Sequence, residues 1–279
     1  MKIARYLGPD GPALGSVSGG TIDPLADGGG DTISLIERWT RDGHGGTRGE
    51  PVPLSSVRLL APIERPRKIL AIGLNYADHI AESQLETPSE QLWFCKQPTS
   101  ASGPNDFIEM PAVSDKLDHE VELVAVIGRS GRSIPAERAH EHVFGYCVGN
   151  DVSVRDWQLA TSQWMLGKSF DTHAPFGPWI TTAHEIGDPH RLDISCHVNG
   201  VRKQASNTAR LVFNLWDQIA HLSRAMTLEA GDLIFTGTPG GVGWAEQPKR
   251  TLSIGDVVRC EIEELGAIEN VVQIGRTLS

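Results

Sequence analysis

Apolar positions along this chain fall in short runs, and most of the runs have the length of a strand. The plainest lies in "KLDHEVELVAVIG", residues 116–128. Val121, Leu123, Val124, Ala125, Val126 and Ile127 are apolar and partly β-branched, which predicts a buried strand. Runs at 69–72 and 143–148 predict two more. Val258, Cys260 and Ile262 alternate with Arg259, Glu261 and Glu263, the pattern of a half-buried strand. "DISCHVNGVRKQ" predicts a hairpin, because Asn199-Gly200 suits a type I′ turn. "LEAGDLI" and "LSIGDVV" each read as a Gly-Asp turn feeding a strand.

Helical spacing is rarer. Val212, Leu215, Trp216, Ile219 and Leu222 recur at three and four, which predicts a helix over 207–224 capped by Ser206 or Asn207. A second helix-like segment starts near Ala77, after a turn over 73–76. The first 62 residues differ from the rest: they are Gly-rich, with brief apolar snatches. They read as a small β-rich N-terminal domain, 1–62, with a Pro-bracketed boundary at "APIERPRK" and a larger domain over 63–279. The fold class is β-dominated α+β, without the βαβ alternation of a nucleotide-binding sheet.

Composition narrows the function classes. At 279 residues and 39% hydrophobic content, the chain suits one large domain, or one domain with a small appendage. The net charge of −10 and the lack of a Lys/Arg-rich run argue against nucleic acid and anionic membranes as partners. No apolar run approaches the ~20 residues that span a bilayer. "MKIARYLGPDG" has no apolar signal core. Cys95, Cys147, Cys196 and Cys260 form no CxxC pair and read as reduced thiols, so the expected location is cytoplasmic.

The candidate chemistry starts with carboxylates. Glu120 and Glu122 are two apart at the mouth of a strand, so they point to one face. Alone, they read as a solvated strand end. Asp151 follows the apolar run at 143–148, and an acid at the end of a buried strand is an expensive place for charge. Three carboxylates without a soft ligand suit a hard divalent ion such as Mg²⁺ or Mn²⁺. In "NYADHIAE", His79 and Glu82 share a helix face. A carboxylate that fixes the imidazole tautomer frees the other nitrogen to take a proton. Alone, the pair reads as surface residues. The polar segment "SQLETPSEQ" after it reads as a mobile lid.

Lys168, in "GKSFDTHAPFGPW", is not part of a phosphate loop, since Ser162 stands where that motif needs Gly. It reads as a surface lysine or a grip for a substrate carboxylate. "FTGTPGGVG" places Thr236 and Thr238 before a Gly-rich turn, either a plain loop or an anion cradle. "HEH" at 140–142 lacks the spacing of zinc peptidases and is expected on an exposed helix. No GxSxG elbow occurs.

Taken in order, "AIGLNYADHIAE", "GPNDFIEMP", "LDHEVELVAVIG", "GYCVGNDVSVRDWQ", "GKSFDTHAPFGPW", "VNGVRKQASNT", "MTLEAGDLIFTGTPGGVG" and "LSIGDVVRCEIEELGAIEN" resemble the fumarylacetoacetate hydrolase family. The resemblance covers nearly all of 68–270, and the N-terminal 60 or so residues are similar to the small domain of longer bacterial members. It implies a mixed β-sandwich roll, usually a homodimer. It implies Glu120, Glu122 and Asp151 as Mg²⁺ or Mn²⁺ ligands, and His79 and Glu82 as a water-activating pair on a lid. Lys168 matches the lysine on the substrate's carboxylate or oxyanion. Arg155, Gln158 and Thr238 match further polar positions around it. The implied substrate is a small anionic 2-oxo acid. The leading expectation is hydrolysis of a C–C bond in a 2,4-dioxo, acylpyruvate-type acid. The alternatives are oxaloacetate decarboxylation or tautomerisation and dienoic diacid isomerisation or decarboxylation. A non-enzymatic metal-binding scaffold is disfavoured, since it has no need to bear clustered buried charge. One departure stands out: Lys96 keeps its family place, but Trp93 and Cys95 beside it are unusual, and facing the pocket they would imply an atypical substrate.

Overall fold

A computed structural model describes residues 1–26, 29–83 and 86–275. Strands dominate, as the apolar runs predict, and two sheets carry the architecture. The larger runs through strands Val52–Pro53, Thr21–Pro24, Gly11–Ser18, Lys2–Gly8, Ala174–Thr182, Val143–Asn150, Val121–Ile127, Leu233–Phe235, Ile69–Gly73 and Leu92–Lys96, in that spatial order. The smaller runs Val201–Asn207, Asp193–Val198, Val257–Ile262, Gly266–Ile274 and Ile108–Met110.

Strand Val121–Ile127 is buried along its whole length and separates two cores. Val121, Leu123, Ala125 and Ile127 pack toward the smaller sheet, with Ile194, Cys196, Val258, Cys260 and Ile262. Val124 and Val126 pack the other way, with Ala71, Phe176, Phe235 and Phe94. Glu120 and Glu122 have the parity of Val124 and Val126, so they extend this second face.

The N-terminal residues form the strands expected and also a helix that their Gly-rich pattern does not announce, Thr32–Asp42, capped by Asp31. Strand Lys2–Gly8 pairs with Ala174–Thr182 through Lys2↔Thr181 and Ile3↔Ile180, so the large sheet runs on into this segment.

Asn199 and Gly200 both have positive φ, the requirement of a type I′ turn, and the hairpin forms as expected. Residues 136–142, with the "HEH" tract, form a 3₁₀ helix in which His140 and Glu141 are exposed. The long helix is shorter than its spacing predicts: it spans Leu215–Ala225. Asn207 instead ends a strand and caps a 3₁₀ turn through the Ala209 N–H. Buried Asn75 takes the Phe213 N–H on its side chain and the Val212 N–H on its carbonyl, which holds 212 and 213 out of the helix. Asn214 then caps it, accepting from the N–H groups of Trp216 and Asp217.

Candidate active site

The antiparallel ladder between Val121–Ile127 and Val143–Asn150 begins at Val121↔Asn150. One step outward, Asp151 stands opposite Glu120 and donates its N–H to the Glu120 carbonyl at 2.8 Å. Asn150 Oδ1 accepts the Glu120 N–H at 2.9 Å. Both strand ends are thereby fixed, and oxygens of Glu120, Glu122 and Asp151 come within 4.8 Å of one another. All three residues are buried.

Three buried cations enter this cluster. Lys168 Nζ bridges Glu120 Oε2 at 2.8 Å and Asp151 Oδ2 at 2.7 Å. Lys96 Nζ donates to Asp151 Oδ1 at 2.6 Å and to the Val152 carbonyl at 3.2 Å. Arg155 Nη1 donates to Glu120 Oε1 at 2.5 Å and to Gln158 Oε1 at 2.9 Å, while its Nε holds Asp118 Oδ2 at 2.9 Å. Asp118 also accepts the N–H groups of Gly243 and Trp244. It therefore ties the Gly-rich loop to Arg155.

Burial works against charge on Glu120, but Lys168 and Arg155 overcome it and hold its carboxyl well below the ordinary range. Glu122 goes the other way. Burial, then the negative Asp151 and Glu120, push it well above its ordinary value. Its partner is the Gly237 N–H at 2.8 Å, and among the described residues no Lys or Arg pairs with it. A buried carboxylate without a cation needs a proton or a metal. Three buried oxygen donors, one of them short of positive charge, fit a hard divalent ion held by Glu120, Glu122 and Asp151.

A cavity of about 500 Å³ opens over this centre. His79, Glu82, Glu120, Glu122, Arg155, Gln158, Lys168 and Thr238 all line it, so the fold gathers these predicted residues, while Asp151 sits beneath. His79 and Glu82 come from the short helix Ala77–Ser83, with Nδ1 3.6 Å from Glu82 Oε2. Glu82 lies below its ordinary value, because of His79 beside it and then the Gly241 N–H it accepts at 2.9 Å. The lid expectation over 83–91 falls partly on residues 84 and 85, outside the described residues. The Thr238 hydroxyl donates to the Val121 carbonyl and accepts from Gln204 Nε2, so it braces the loop from within.

Two aspects differ from the sequence reading. Trp93 and Cys95 do not line the cavity. Phe94 does, and Lys96, two residues on, points the same way into the charged cluster, while Trp93 packs against the opposite core. Sequence reasoning also gave no role to Asp118, Lys96, Gln204, Trp164 or Trp244. Lys96 had a signal, its kept place in the family pattern. The others have none local enough to read.

Residues 68–273 match the family described as fumarylacetoacetate (FAA) hydrolase, C-terminal. This chain belongs to the fumarylacetoacetate hydrolase family. Residues 1–62 match a second family, described as Rv2993c-like, N-terminal. A mitochondrial oxaloacetate tautomerase of Bos taurus, FAHD2B, is 42% identical over 98% of this chain and 91% of its own. A fumarylacetoacetate hydrolase from Exiguobacterium antarcticum has a TM-score of 0.89 and 36% identity, covering 99% of this chain and all of that one. A maleylpyruvate hydrolase from Sphingobium, solved with manganese(II) and pyruvate, has a TM-score of 0.82 and 33% identity over the same shares. The family is one of enzymes, with tautomerases and hydrolases among these relatives. Among the described residues, no helix of this fumarylacetoacetate hydrolase family member is long and apolar enough to cross a membrane.

Proposed function

We propose that this protein is a divalent-metal-dependent tautomerase that interconverts the keto and enol forms of a small 2-oxo acid. The observation that carries the reading is the pairing, in one cavity, of a carboxylate triad short of positive charge with the His79–Glu82 pair. The near full-length Bos taurus relative favours tautomerisation over the hydrolysis that the sequence motifs put first.

Glu120, Glu122 and Asp151 would hold a divalent ion, Mg²⁺ or Mn²⁺, which would supply positive charge toward the enolate developing from the 2-oxo group. The residues do the rest. With Nδ1 turned to Glu82, His79 keeps Nε2 for substrate. It takes a proton from C3 as the C3–H electron pair moves into the C2–C3 bond and the carbonyl pair moves onto O2. Proton return to O2 completes the enol, and the reverse sequence gives the ketone. No co-reactant is consumed. Lys168 stays charged because Asp151 and Glu120 offset its burial, so it helps hold the substrate's negative charge. Arg155, Gln158 and Thr238 shape the polar floor from positions already fixed by hydrogen bonds. The protein is further proposed to work as a homodimer, on the family resemblance.

Decay of the oxaloacetate enol, followed by its ultraviolet absorbance with Mg²⁺, with Mn²⁺ and with EDTA, tests the proposal. Metal-dependent acceleration that falls in His79→Ala supports it. C–C hydrolysis of an acylpyruvate is the second reading, favoured by the same imidazole–carboxylate pair, which suits water activation. Metal-dependent release of pyruvate from acetylpyruvate, with no effect on oxaloacetate, would replace tautomerisation with hydrolysis.

A further inference from the structure

Asp78 stands next to His79 in "NYADHIAE". His79 and Glu82 line the cavity over the carboxylate triad, whereas Asp78 lines a separate cavity of about 850 Å³, together with Ser206. Its carboxylate is engaged at both oxygens. Oδ2 accepts the Ser206 hydroxyl at 2.5 Å. Oδ1 accepts the His79 N–H at 2.9 Å and the Gly240 N–H at 3.4 Å. Ser206 belongs to the strand Val201–Asn207 of the smaller sheet. Asp78 thus ties the helix Ala77–Ser83 to that sheet and to the Gly-rich loop at once.

The loop is itself anchored on the acidic centre. Gly237 gives its N–H to Glu122, and Gly243 and Trp244 give theirs to Asp118. Between these ends, the Gly241 N–H holds Glu82 Oε2 at 2.9 Å, and the Gly241 carbonyl meets Nε2 of buried His119 at 3.2 Å. Gly241 has a φ of 101°, and an added Cβ would stand 2.0 Å from the Lys203 carbonyl oxygen, so a backbone suited to glycine presents this donor. The helix meets the loop at two points, Asp78 on Gly240 and Glu82 on Gly241. Glu82 by itself leaves the helix free to pivot about one hydrogen bond. The His79 Nδ1 to Glu82 distance of 3.6 Å is also too long to fix the imidazole, so the ring's place follows from where the helix sits.

We propose that Asp78 is a positioning residue: by bridging Ser206 and Gly240 it docks the helix Ala77–Ser83 on the Gly-rich loop and so sets His79 beside the carboxylate centre. Its effect on turnover rests on the enolisation reading above; the docking itself does not. A base misplaced by ~1 Å loses up to about 10²-fold in rate. Lys168 and Arg155, which Asp78 does not touch, keep their grip on substrate. The signature is therefore a fall in kcat without a matching change in KM.

The test joins amide hydrogen exchange of peptides spanning 76–83, read by mass spectrometry, to the kinetics of oxaloacetate tautomerisation. It uses the native chain, Asp78→Ala, Asp78→Asn and Ser206→Ala, with circular dichroism checking that each folds. In Asp78→Ala, exchange over the helix should quicken by about tenfold, the scale of a charge-assisted hydrogen bond. There kcat should fall by about tenfold or more, while KM and calorimetric Mn²⁺ affinity change little. Ser206→Ala should move both readouts the same way by less. Asp78→Asn keeps an acceptor for the two backbone N–H groups and sets an amide against Ser206, so it should recover part of the loss. Native exchange and native kcat in Asp78→Ala would overturn the proposal and leave enolisation standing. Asp78→Asn as slow as Asp78→Ala, with exchange at the native rate, would assign the loss to charge and overturn the docking. Faster helix exchange in Asp78→Ala, in a protein whose His79→Ala variant turns over as fast as the native chain, would uphold the docking and remove the base from the reaction.

Discussion

Lys96 and Asp151 form a fully buried ion pair with Nζ and Oδ1 2.6 Å apart. Asp151 gives its other oxygen to Lys168, so one carboxylate aligns two ammonium groups beneath the proposed metal site. Burial lowers the pKa of Lys96, opposed by the attraction of Asp151. Removing Lys96 leaves Asp151 with one cation instead of two. Lys96→Met should therefore lower unfolding free energy by ~3 kcal/mol, measured by urea denaturation. A loss under ~0.5 kcal/mol would mean that the pair is not held as described.

At the proposed metal site, Glu122 should set the pH dependence of binding. Its pKa is raised in the folded protein, so its contribution to stability is full at low pH and is lost as pH rises through the raised value. A metal ligand must give up its proton, so affinity should climb with pH across that window. Calorimetry of Mg²⁺ or Mn²⁺ binding in buffers of different ionisation enthalpy should show net proton release. Binding that is independent of pH and buffer would contradict the assignment.

His173 gives acid sensitivity of the opposite origin. Burial, helped by nearby Lys96, lowers its pKa to about 3, although the Glu109 carbonyl accepts its Nε2–H at 2.8 Å. The folded protein resists protonating it while the unfolded chain does not. Its stabilising contribution is present above the unfolded value near 6.5 and is lost as pH falls toward about 3, at ~1.4 kcal/mol per pH unit. His173→Gln should flatten the fall in urea midpoint between pH 7 and pH 5. An unchanged slope would show that the imidazole is not buried and neutral.

Asp118 is a positioning residue, since it holds Arg155 and the Gly243 and Trp244 N–H groups without lining the cavity. Asp118→Asn keeps the shape and removes the charge. Turnover should fall by about tenfold or more, as when a charge-assisted contact in a polar network is weakened, while Mn²⁺ affinity changes little. Loss of metal binding in step with turnover would place Asp118 among the ligands.

Much of this site is legible in the sequence alone. Period-two alternation put Glu120 and Glu122 on one face, and Asp151 stood out as an acid after a buried run. Ile69–Gly73, the Asn199-Gly200 hairpin and the Gly-Asp turns were readable because each depends on neighbouring residues only. The helix start was not, because Asn75, some 138 residues away in sequence, captures the backbone at 213. The pairing of Lys96 with Asp151 was hidden: the two are 55 positions apart, and only its kept place in the family pattern separates Lys96 from a surface lysine. Aromatic walls fail to show for the same reason, since Trp164 meets Gly73 only through the fold.

Exchange of the C3 hydrogens of oxaloacetate in D₂O tests the central claim most directly. It would be followed by proton NMR with Mg²⁺ and with EDTA, for the native chain, Glu122→Gln and His79→Ala. Exchange well above the spontaneous rate, dependent on Mg²⁺ and lost in both variants, is the expected result. Exchange that EDTA leaves untouched, or that persists in both variants, would contradict enolisation at this carboxylate centre.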